Sequence, residues 1–303
     1  MQPDRRTCLN RNMNSDAVRK GLFKEQALED ELFDIGFIKI PFFTKEEMDE
    51  LKQFYNGVHP AENIDLKGVL NGIHMTTWSN NLGYKKMVGS FIRNLFDKGI
   101  ERVFKNHRHL NHVFIAKEAG AKTEFTIHQD WSVVDETKDY SVNIWVPLRD
   151  VDKNSGALWV LPKSHNLDQP IRGAGYLFPD YHSDMEHLRD KVKCIDVKEG
   201  EALIFFHSTI HGSPPNESAE KRVVTCCTVI HEEADIRTYF QPNESAPLEV
   251  YQPDDDFMYG YEDIMNDAPV MPPKGKLVET RESYRTKDIP VEELISLSSI
   301  NVT

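Results

Sequence analysis

The sequence predicts a mainly β protein with flanking helices, built as an antiparallel double-sheet barrel or jelly roll. Two observations carry that expectation. From about His109 the chain turns to short runs rich in Val, Ile, Phe and Trp, separated by Gly, Pro, Asn and Asp clusters. Most of these runs follow one another without a helical crossover, which favours antiparallel sheets over parallel βαβ units. The first hundred residues are different, spacing their apolar side chains at helical intervals, and read as helices buttressing a sheet.

Taken in order, Ala17 to Phe33 sets Val18, Leu22, Phe23, Leu28, Leu32 and Phe33 at mostly helical intervals, and Gly36 ends that helix. Phe37 to Pro41 is a short strand. Thr44 followed by Glu47 forms a capping box for a helix running to about Tyr55, with Met48, Leu51 and Phe54 on one face. A third helix, roughly Leu82 to Phe104, carries Met87, Phe91, Ile92, Leu95 and Ile100. The clearest strands are His112 to Ala116, Val142 to Pro147, Ala157 to Leu161, Cys194 to Val197, Ala202 to Phe206 and Val223 to Ile230. From Glu232 the chain is acidic and Pro-rich, with Asp254 to Asp256 in a row, and reads as an irregular surface segment ending in a short helix near Val291 to Leu297. The expected organisation is a single catalytic domain over 1–303. Helical support covers 1–108, a jelly-roll core with a metal site 109–231, and an irregular extension 232–303.

A chain of 303 residues buries roughly three quarters of its unfolded surface and needs no metal to fold, so a metal here would serve chemistry. Lys and Arg total 36 against 49 Asp and Glu, and the charge of -13 repels nucleic acid and anionic membranes. The four cysteines include no CxxC pair, and the adjacent Cys226 and Cys227 lie in an apolar run where thiols pack as small hydrophobes. Met1 to Asn14 has charges at Asp4, Arg5 and Arg6 but no apolar stretch after them, and no run of about 18 apolar residues occurs. These features predict a soluble cytoplasmic protein that acts on a small molecule, with no nucleic-acid, membrane or protein partner.

In Thr126-Ile127-His128-Gln129-Asp130, His128 and Asp130 are two apart. On a strand or its extended end, that spacing sends an imidazole and a carboxylate to one face. A second imidazole completes the two-histidine, one-carboxylate triad of non-haem Fe(II) oxygenases, which leaves positions open for co-substrate and oxygen. The motif alone is weak: with twelve histidines, about two H-x-D/E matches arise by chance. Three occur, at His128, His182 and His231. His182 sits in the turn-like Pro179-Asp180-Tyr181 context, and no histidine follows His231. Only the first has the rest of the pattern downstream. Gly200 to Phe206 is a turn entering an apolar strand, His207 and His211 follow, and Arg222 comes eleven residues after His211. The planar fork of an arginine suits a carboxylate bidentately. His207 competes with His211 for the third ligand position, but it directly follows the apolar run, which suits a supporting or core role.

Together H-Q-D at 128 to 130, G-E-A-L-I-F-F at 200 to 206, H-G-S-P-P-N at 211 to 216 and Arg222 resemble the phytanoyl-CoA dioxygenase family of Fe(II)/2-oxoglutarate-dependent oxygenases, over about Gly36 to Ile230. The resemblance implies a double-stranded β-helix, a cupin-like jelly roll with the metal in its open mouth. It implies Fe(II) on His128, Asp130 and His211, with no catalytic side chain beyond these ligands. The 2-oxoglutarate would sit on Arg222 with help from Ser213, beside Gln129 and Trp145. The implied reaction is a dioxygenase one, using O2 and releasing succinate and CO2 as a substrate C-H bond is oxidised. Halogenating relatives replace the carboxylate ligand with a small residue, so Asp130 argues for hydroxylation, with desaturation or oxidative ring closure sharing the same first step.

The substrate is expected to be a small polar metabolite, in the manner of an amino-acid-derived biosynthetic intermediate, because no clear basic cluster offers to hold the phosphates of an acyl-CoA. His74, Thr76 and Trp78, in the loop before the third helix, and Trp131, just past the metal pair, are the candidate substrate contacts. The same loop also reads as a helix-capping segment, and Arg172 with Gly173-Ala174-Gly175 as a lid or plain surface. Two further readings stay open: a jelly-roll metal-binding protein without turnover, and a zinc hydrolase on the same three ligands. Neither has a use for Arg222.

Overall fold

The structure, a computed structural model, describes residues 21–58, 72–120, 123–167, 170–177, 188–260, 272–286 and 289–297. The chain start through residue 20, with Cys8, and the His182-Ser183-Asp184 match lie outside them. Helix α1 (Gln26–Ile35) stops at Gly36, whose φ of 94° is left-handed and whose N–H closes onto the Leu32 carbonyl. A side chain at Gly36 would also stand 2.5 Å from His165 Nδ1, so only glycine serves both the cap and the close approach. The expected start at Ala17 is not met within the described residues, where the helix begins at Gln26.

Strand β1 (Phe37–Pro41) leads into α2 (Lys45–Val58), which opens on the expected capping box. Glu47 N donates to Thr44 Oγ1 at 3.2 Å, and Thr44 N donates to Glu47 Oε2 at 2.9 Å. Helix α3 (Leu82–Val103) is capped by Asn81, whose side chain accepts from Tyr84 N. Its buried face is Val88, Ile92, Leu95, Phe96 and Ile100. Met87, expected on that face, is 47% exposed, because Val88 occupies the position that keeps phase with Ile92 and Leu95.

The strands β2 (Ile73–Met75), β3 (His107–Lys117), β5 (Ser141–Pro147), β9 (Glu201–Phe206) and β11 (Arg222–His231) join β1 in a six-stranded antiparallel sheet ordered β1-β9-β5-β11-β3-β2. A second sheet runs β4-β10-β6-β8, from β4 (Phe125–His128), β10 (His211–Ser213), β6 (Trp159–Val160) and β8 (Lys193–Cys194). The two sheets share an apolar interior of Phe37, Val113, Trp145, Val160, Leu203, Phe205, Val224 and Cys226. On the other side of the six-stranded sheet, Phe114, Ile144, Ile204, Cys227 and Val229 pack with the apolar faces of α1, α2 and α3. Alternate residues along each strand therefore feed two cores, which explains why β11 is buried throughout and reads as a continuous apolar run. This is a jelly roll backed by helices. Among the described residues no helix is long and apolar enough to cross a membrane.

The segment after Glu232 corrects the expectation of an irregular extension. Strands β12 (Thr238–Gln241), β13 (Leu248–Gln252) and β14 (Lys276–Arg281) form a third sheet with β7 (Ala174–Gly175), ordered β14-β13-β12-β7. Each run is only four to six residues long, and the acidic and proline clusters between them hide the period-2 signal. Leu177, Tyr239, Leu248 and Val250 give this sheet its own small core. Helix α4 (Val291–Leu297) follows.

Candidate metal and anion site

The three expected metal ligands come together because β4 and β10 are antiparallel neighbours. His128, the last residue of β4, is the cross-strand partner of His211, the first residue of β10. Asp130 lies two residues past His128, where its backbone N–H donates to the His207 carbonyl at 3.0 Å. His128 Nε2 stands 3.8 Å from Asp130 Oδ1, and His211 Nε2 stands 3.6 Å from Asp130 Oδ2. One ligand atom from each residue lies within 4.8 Å of the others. Gly212 separates His211 from Ser213, and a Cβ there would sit 2.8 Å from the Phe125 carbonyl and 3.2 Å from Ile127 N. The glycine lets β10 lie close on β4 and so brings the two histidines together.

Both imidazoles are held in one tautomer. His128 Nδ1 bonds the Thr126 carbonyl at 2.7 Å, and His211 Nδ1 bonds the Thr209 carbonyl at 2.9 Å. With each Nδ1–H donated to backbone, both Nε2 lone pairs face Asp130, the arrangement that metal-binding histidines adopt. Burial, with His211 alongside, pushes the His128 pKa down to about 4, so its imidazole is neutral and ready to ligate. Burial alone would raise Asp130, but His211, His207 and His128 hold it below its usual value. The result is a carboxylate facing two imidazole nitrogens, a donor set of hard oxygen and borderline nitrogen that fits a divalent first-row metal.

Asp130 is itself anchored. Asn143 Nδ2 donates to Asp130 Oδ2 at 2.5 Å, and Asn143 Oδ1 accepts from Thr228 Oγ1 at 3.2 Å. His207 Nε2 meets the same Thr228 hydroxyl at 3.2 Å, while its Nδ1 bonds the Trp131 carbonyl. His207 is thus a supporting residue behind the triad. Arg172 is fully buried, donates to the Asp130 carbonyl through Nε at 2.8 Å, and pairs with both oxygens of Glu136. The lid alternative for Arg172 gives way to this internal brace.

Arg222, the first residue of β11, is 2% exposed. Its Nη1 donates to the Gly156 carbonyl at 2.9 Å, and its guanidinium lies 5.6 Å from the centroid of the Trp145 ring. Its Nε is buried with no hydrogen-bond partner. Directly across the ladder from Arg222 is Lys117, the last residue of β3, which is fully buried. Lys117 Nζ donates to Ser213 Oγ and to the Pro214 carbonyl, both at 2.7 Å. Burial, with Arg222 beside it, lowers the Lys117 pKa to about 6, and burial lowers Arg222 to about 10. Among the described residues no carboxylate pairs with either. Two buried basic groups with no paired acid among the described residues, one with an open donor, make a candidate anion site two residues along β10 from His211.

Of the other expected contacts, Trp145 lines this anion site, and Ser213 reaches it through Lys117 rather than through a direct bond to Arg222. Gln129 is fully buried, and its amide donates to the Ser208 carbonyl at 2.6 Å. Thr76 is also committed to structure, since its hydroxyl accepts from Phe114 N at 2.9 Å and tethers the segment to β3. His74 is buried on the edge strand β2, while Trp78 and Trp131 are half-buried. Sequence reading missed Lys117 and Asn143, and it took Arg172 for a lid or plain surface. Lys117 alone carried a signal, a lysine in phase with the inward Val113 and Ile115 of an apolar strand.

Comparison with known proteins agrees with this architecture. The jelly roll is similar to the non-heme alpha ketoglutarate dependent carbocyclase SnoK from nogalamycin biosynthesis, with a TM-score of 0.53, 16% identity and coverage of 71% of this chain and 87% of that one. It is also similar to the epimerase SnoN in complex with Fe3+, alpha ketoglutarate and nogalamycin RO, with a TM-score of 0.50, 17% identity and coverage of 70% and 86%. A phytanoyl-CoA dioxygenase domain-containing protein 1 from Danio rerio is 27% identical over 149 residues, 46% of this chain and 51% of the relative. A phytanoyl-CoA dioxygenase from Arabidopsis thaliana is 30% identical over 113 residues, 36% of this chain and 40% of the relative. The chain thus spans about half the length of such relatives or less. The family model for phytanoyl-CoA dioxygenase matches residues 36–224, which hold His128, Asp130, His211 and Arg222, and the chain belongs to that family.

Proposed function

We infer that the protein is an Fe(II)/2-oxoglutarate-dependent dioxygenase that hydroxylates a C-H bond of a small polar metabolite. The observation that carries this reading is the buried Arg222 guanidinium, with its open Nε and Lys117 beside it, next to a three-residue metal site. A metal-binding or hydrolytic protein has no use for two buried basic groups beside the metal. A co-substrate with a second carboxylate does, because the anion turns a costly buried cation into a charge-assisted pair.

Each part of the site has a task in that reaction. His128, Asp130 and His211 would hold Fe(II), a set of three ligands that leaves the metal able to take 2-oxoglutarate and O2. Arg222 and Lys117 would take the distal carboxylate of 2-oxoglutarate, with Ser213 steering the lysine and Trp145 walling the guanidinium. Iron with 2-oxoglutarate supplies the oxidising power that removes a substrate hydrogen, at the expense of O2 and with succinate and CO2 released. Asn143 and Arg172 hold Asp130 in place, which would fix its carboxylate as a ligand. Asp130 fills the position that a halide would need, which favours hydroxylation. Trp131, next to Asp130 in sequence, is the first candidate substrate contact to test, with Trp78 and His74 after it.

The test is spectroscopic and then catalytic. Anaerobic addition of Fe(II) and 2-oxoglutarate should give a weak visible metal-to-ligand charge-transfer band, and air should then release succinate. A panel of small polar metabolites scored by stimulated succinate release addresses the substrate. The reading is wrong if neither band nor succinate appears and Arg222→Ala leaves 2-oxoglutarate binding unchanged.

A further inference from the structure

On the far side of the six-stranded sheet a second group of ligating atoms comes together. His109 and His112 lie on β3 and Cys227 on β11, all three buried, and their ligand atoms lie within 4.8 Å of one another. On a regular strand, residues 109 and 112 would point to opposite faces. The β3–β11 ladder shifts register between Cys226 and Thr228, opposite Asn111 and His112, and Asn111 takes a left-handed φ of 57°. That bulge turns His109 to the outer face, where His112 and Cys227 already point beneath α3. Bulges of this kind re-aim side chains and cost backbone strain at a non-glycine residue.

We propose that His109, His112 and Cys227 form a second metal site, built for a borderline divalent ion such as Zn2+, that ties α3 to the sheet. His109 Nε2 bonds Asp97 Oδ1 of α3 at 2.7 Å, which leaves Nδ1 as the ligating atom and supplies the carboxylate–histidine pair found behind metal-bound imidazoles. His109 Nδ1 and His112 Nε2 are now 2.7 Å apart. Tetrahedral coordination with bonds of about 2.0–2.1 Å sets two nitrogens at about 3.3 Å, so the rings need part by only about 0.6 Å. Burial keeps both imidazoles neutral, as ligands must be, and holds the Cys227 thiol protonated until a cation displaces its proton. One thiolate and the Asp97 carboxylate would then balance the two charges of the ion. The half-exposed Asp97 side chain marks the solvent side of the cluster, where an ion can enter. The site is independent of the jelly-roll mouth, because Cys227 faces the helices while its neighbour Cys226 faces the interior with Trp145.

Cobalt(II) distinguishes the two sites, since only this one contains sulfur. Metal-stripped full-length protein titrated with Co(II) should bind two ions per chain and show a near-ultraviolet thiolate-to-cobalt charge-transfer band. The band should persist in the His128→Ala/His211→Ala variant and in Cys226→Ser, and vanish in Cys227→Ser. Asp97→Asn should weaken Co(II) at this site by about 10- to 100-fold. Zn2+ should raise the melting temperature of His128→Ala/His211→Ala but not of the same variant carrying His112→Phe, which keeps the ring volume. A wild-type titration with no thiolate band, or a band that survives Cys227→Ser, overturns the proposal and leaves Asp97, His109 and His112 as a hydrogen-bonded chain.

Discussion

Lys117 and Arg222 are cross-strand partners at the paired ends of β3 and β11, both side chains are buried, and among the described residues no carboxylate forms an ion pair with either. A folded chain keeps two basic groups in that state only against a cost, because burial penalises the charged form of each. If that cost is met when an anion binds, the two residues should separate stability from binding. Lys117→Met should raise the unfolding midpoint of the metal-free protein while weakening 2-oxoglutarate, and Arg222→Ala should weaken it on the order of 100-fold, the worth of a bidentate charge-assisted pair. Calorimetric titration of 2-oxoglutarate into the Ni(II) form, with thermal melts of both variants, reads the two effects. A Lys117→Met variant that binds normally would remove Lys117 from the site.

The same lysine gives co-substrate binding a pH dependence. Its folded pKa of about 6 lies below the usual 10.5 because of burial, with Arg222 pressing the same way and Glu124 opposing. Between those values the unfolded chain binds the extra proton, so stability from this group rises with pH across that window, and below about pH 6 the full penalty is present. An anion beside Lys117 reverses the preference. Binding of 2-oxoglutarate at pH 7–8 should therefore take up close to one proton, and affinity should fall as pH rises. Titrations in two buffers of different ionisation enthalpy measure the uptake. It should disappear in Lys117→Met, and equal heats in both buffers for the wild type would contradict the assignment.

The sequence announced the residues that gather at the candidate site, and the helices, better than it announced their supports. His128, Asp130, His211 and Arg222 were legible because strand alternation and an eleven-residue step between neighbouring strands are local properties. Lys117 was less so, because its phase with Val113 and Ile115 marks only an inward strand position, and the bonds that hold it under Ser213 and Pro214 are set by the assembled sheets. Asn143 and Arg172 act on Asp130 from 13 and 42 residues away, and only the assembled sheets bring them there. Thr76 shows the opposite case, a polar loop residue whose hydroxyl is taken by the backbone of β3 once the sheet assembles. The sheet formed by β12, β13 and β14 escaped notice because its strands are short and its connections carry the charge.

Asn143 offers the cleanest check on the supports of the metal. Its amide holds Asp130 Oδ2, and its carbonyl is fixed by Thr228, so its orientation is set on both sides. Asn143→Ala should lower Fe(II) affinity by about 10- to 100-fold with little change in the melting temperature of the metal-free protein, since it removes a hydrogen bond to a ligand and little packing. Asn143→Asp should be worse than alanine, because it sets a second negative charge against Asp130 without a donor. Competition with a chromophoric chelator gives both affinities. Equal affinities for wild type and alanine variant would show that Asp130 holds its place through the backbone alone.

Thr44 tests the helical support apart from the chemistry. Its hydroxyl and the Glu47 carboxylate cap α2 reciprocally, and Glu47 also receives both Nη atoms of Arg102 from α3, at 2.9 and 2.6 Å. Burial works against the Glu47 charge, but Arg102 and the Thr44 N–H hold its pKa below the usual 4.5. The carboxylate therefore adds stability at neutral pH that is lost as pH falls through its depressed value. Thr44→Ala should cost about 1 kcal/mol, the usual worth of an N-cap hydroxyl. Glu47→Gln should cost more at pH 7 than at pH 3, because protonation already removes the charge-assisted part of the Arg102 pair. Denaturant unfolding at the two pH values measures this, and 2-oxoglutarate affinity should be unaltered in both variants, since α2 packs on the outer face of the sheet and away from Arg222. A loss of co-substrate binding in Thr44→Ala would mean that the helical layer sets the shape of the anion site, and the division between support and chemistry would have to be redrawn.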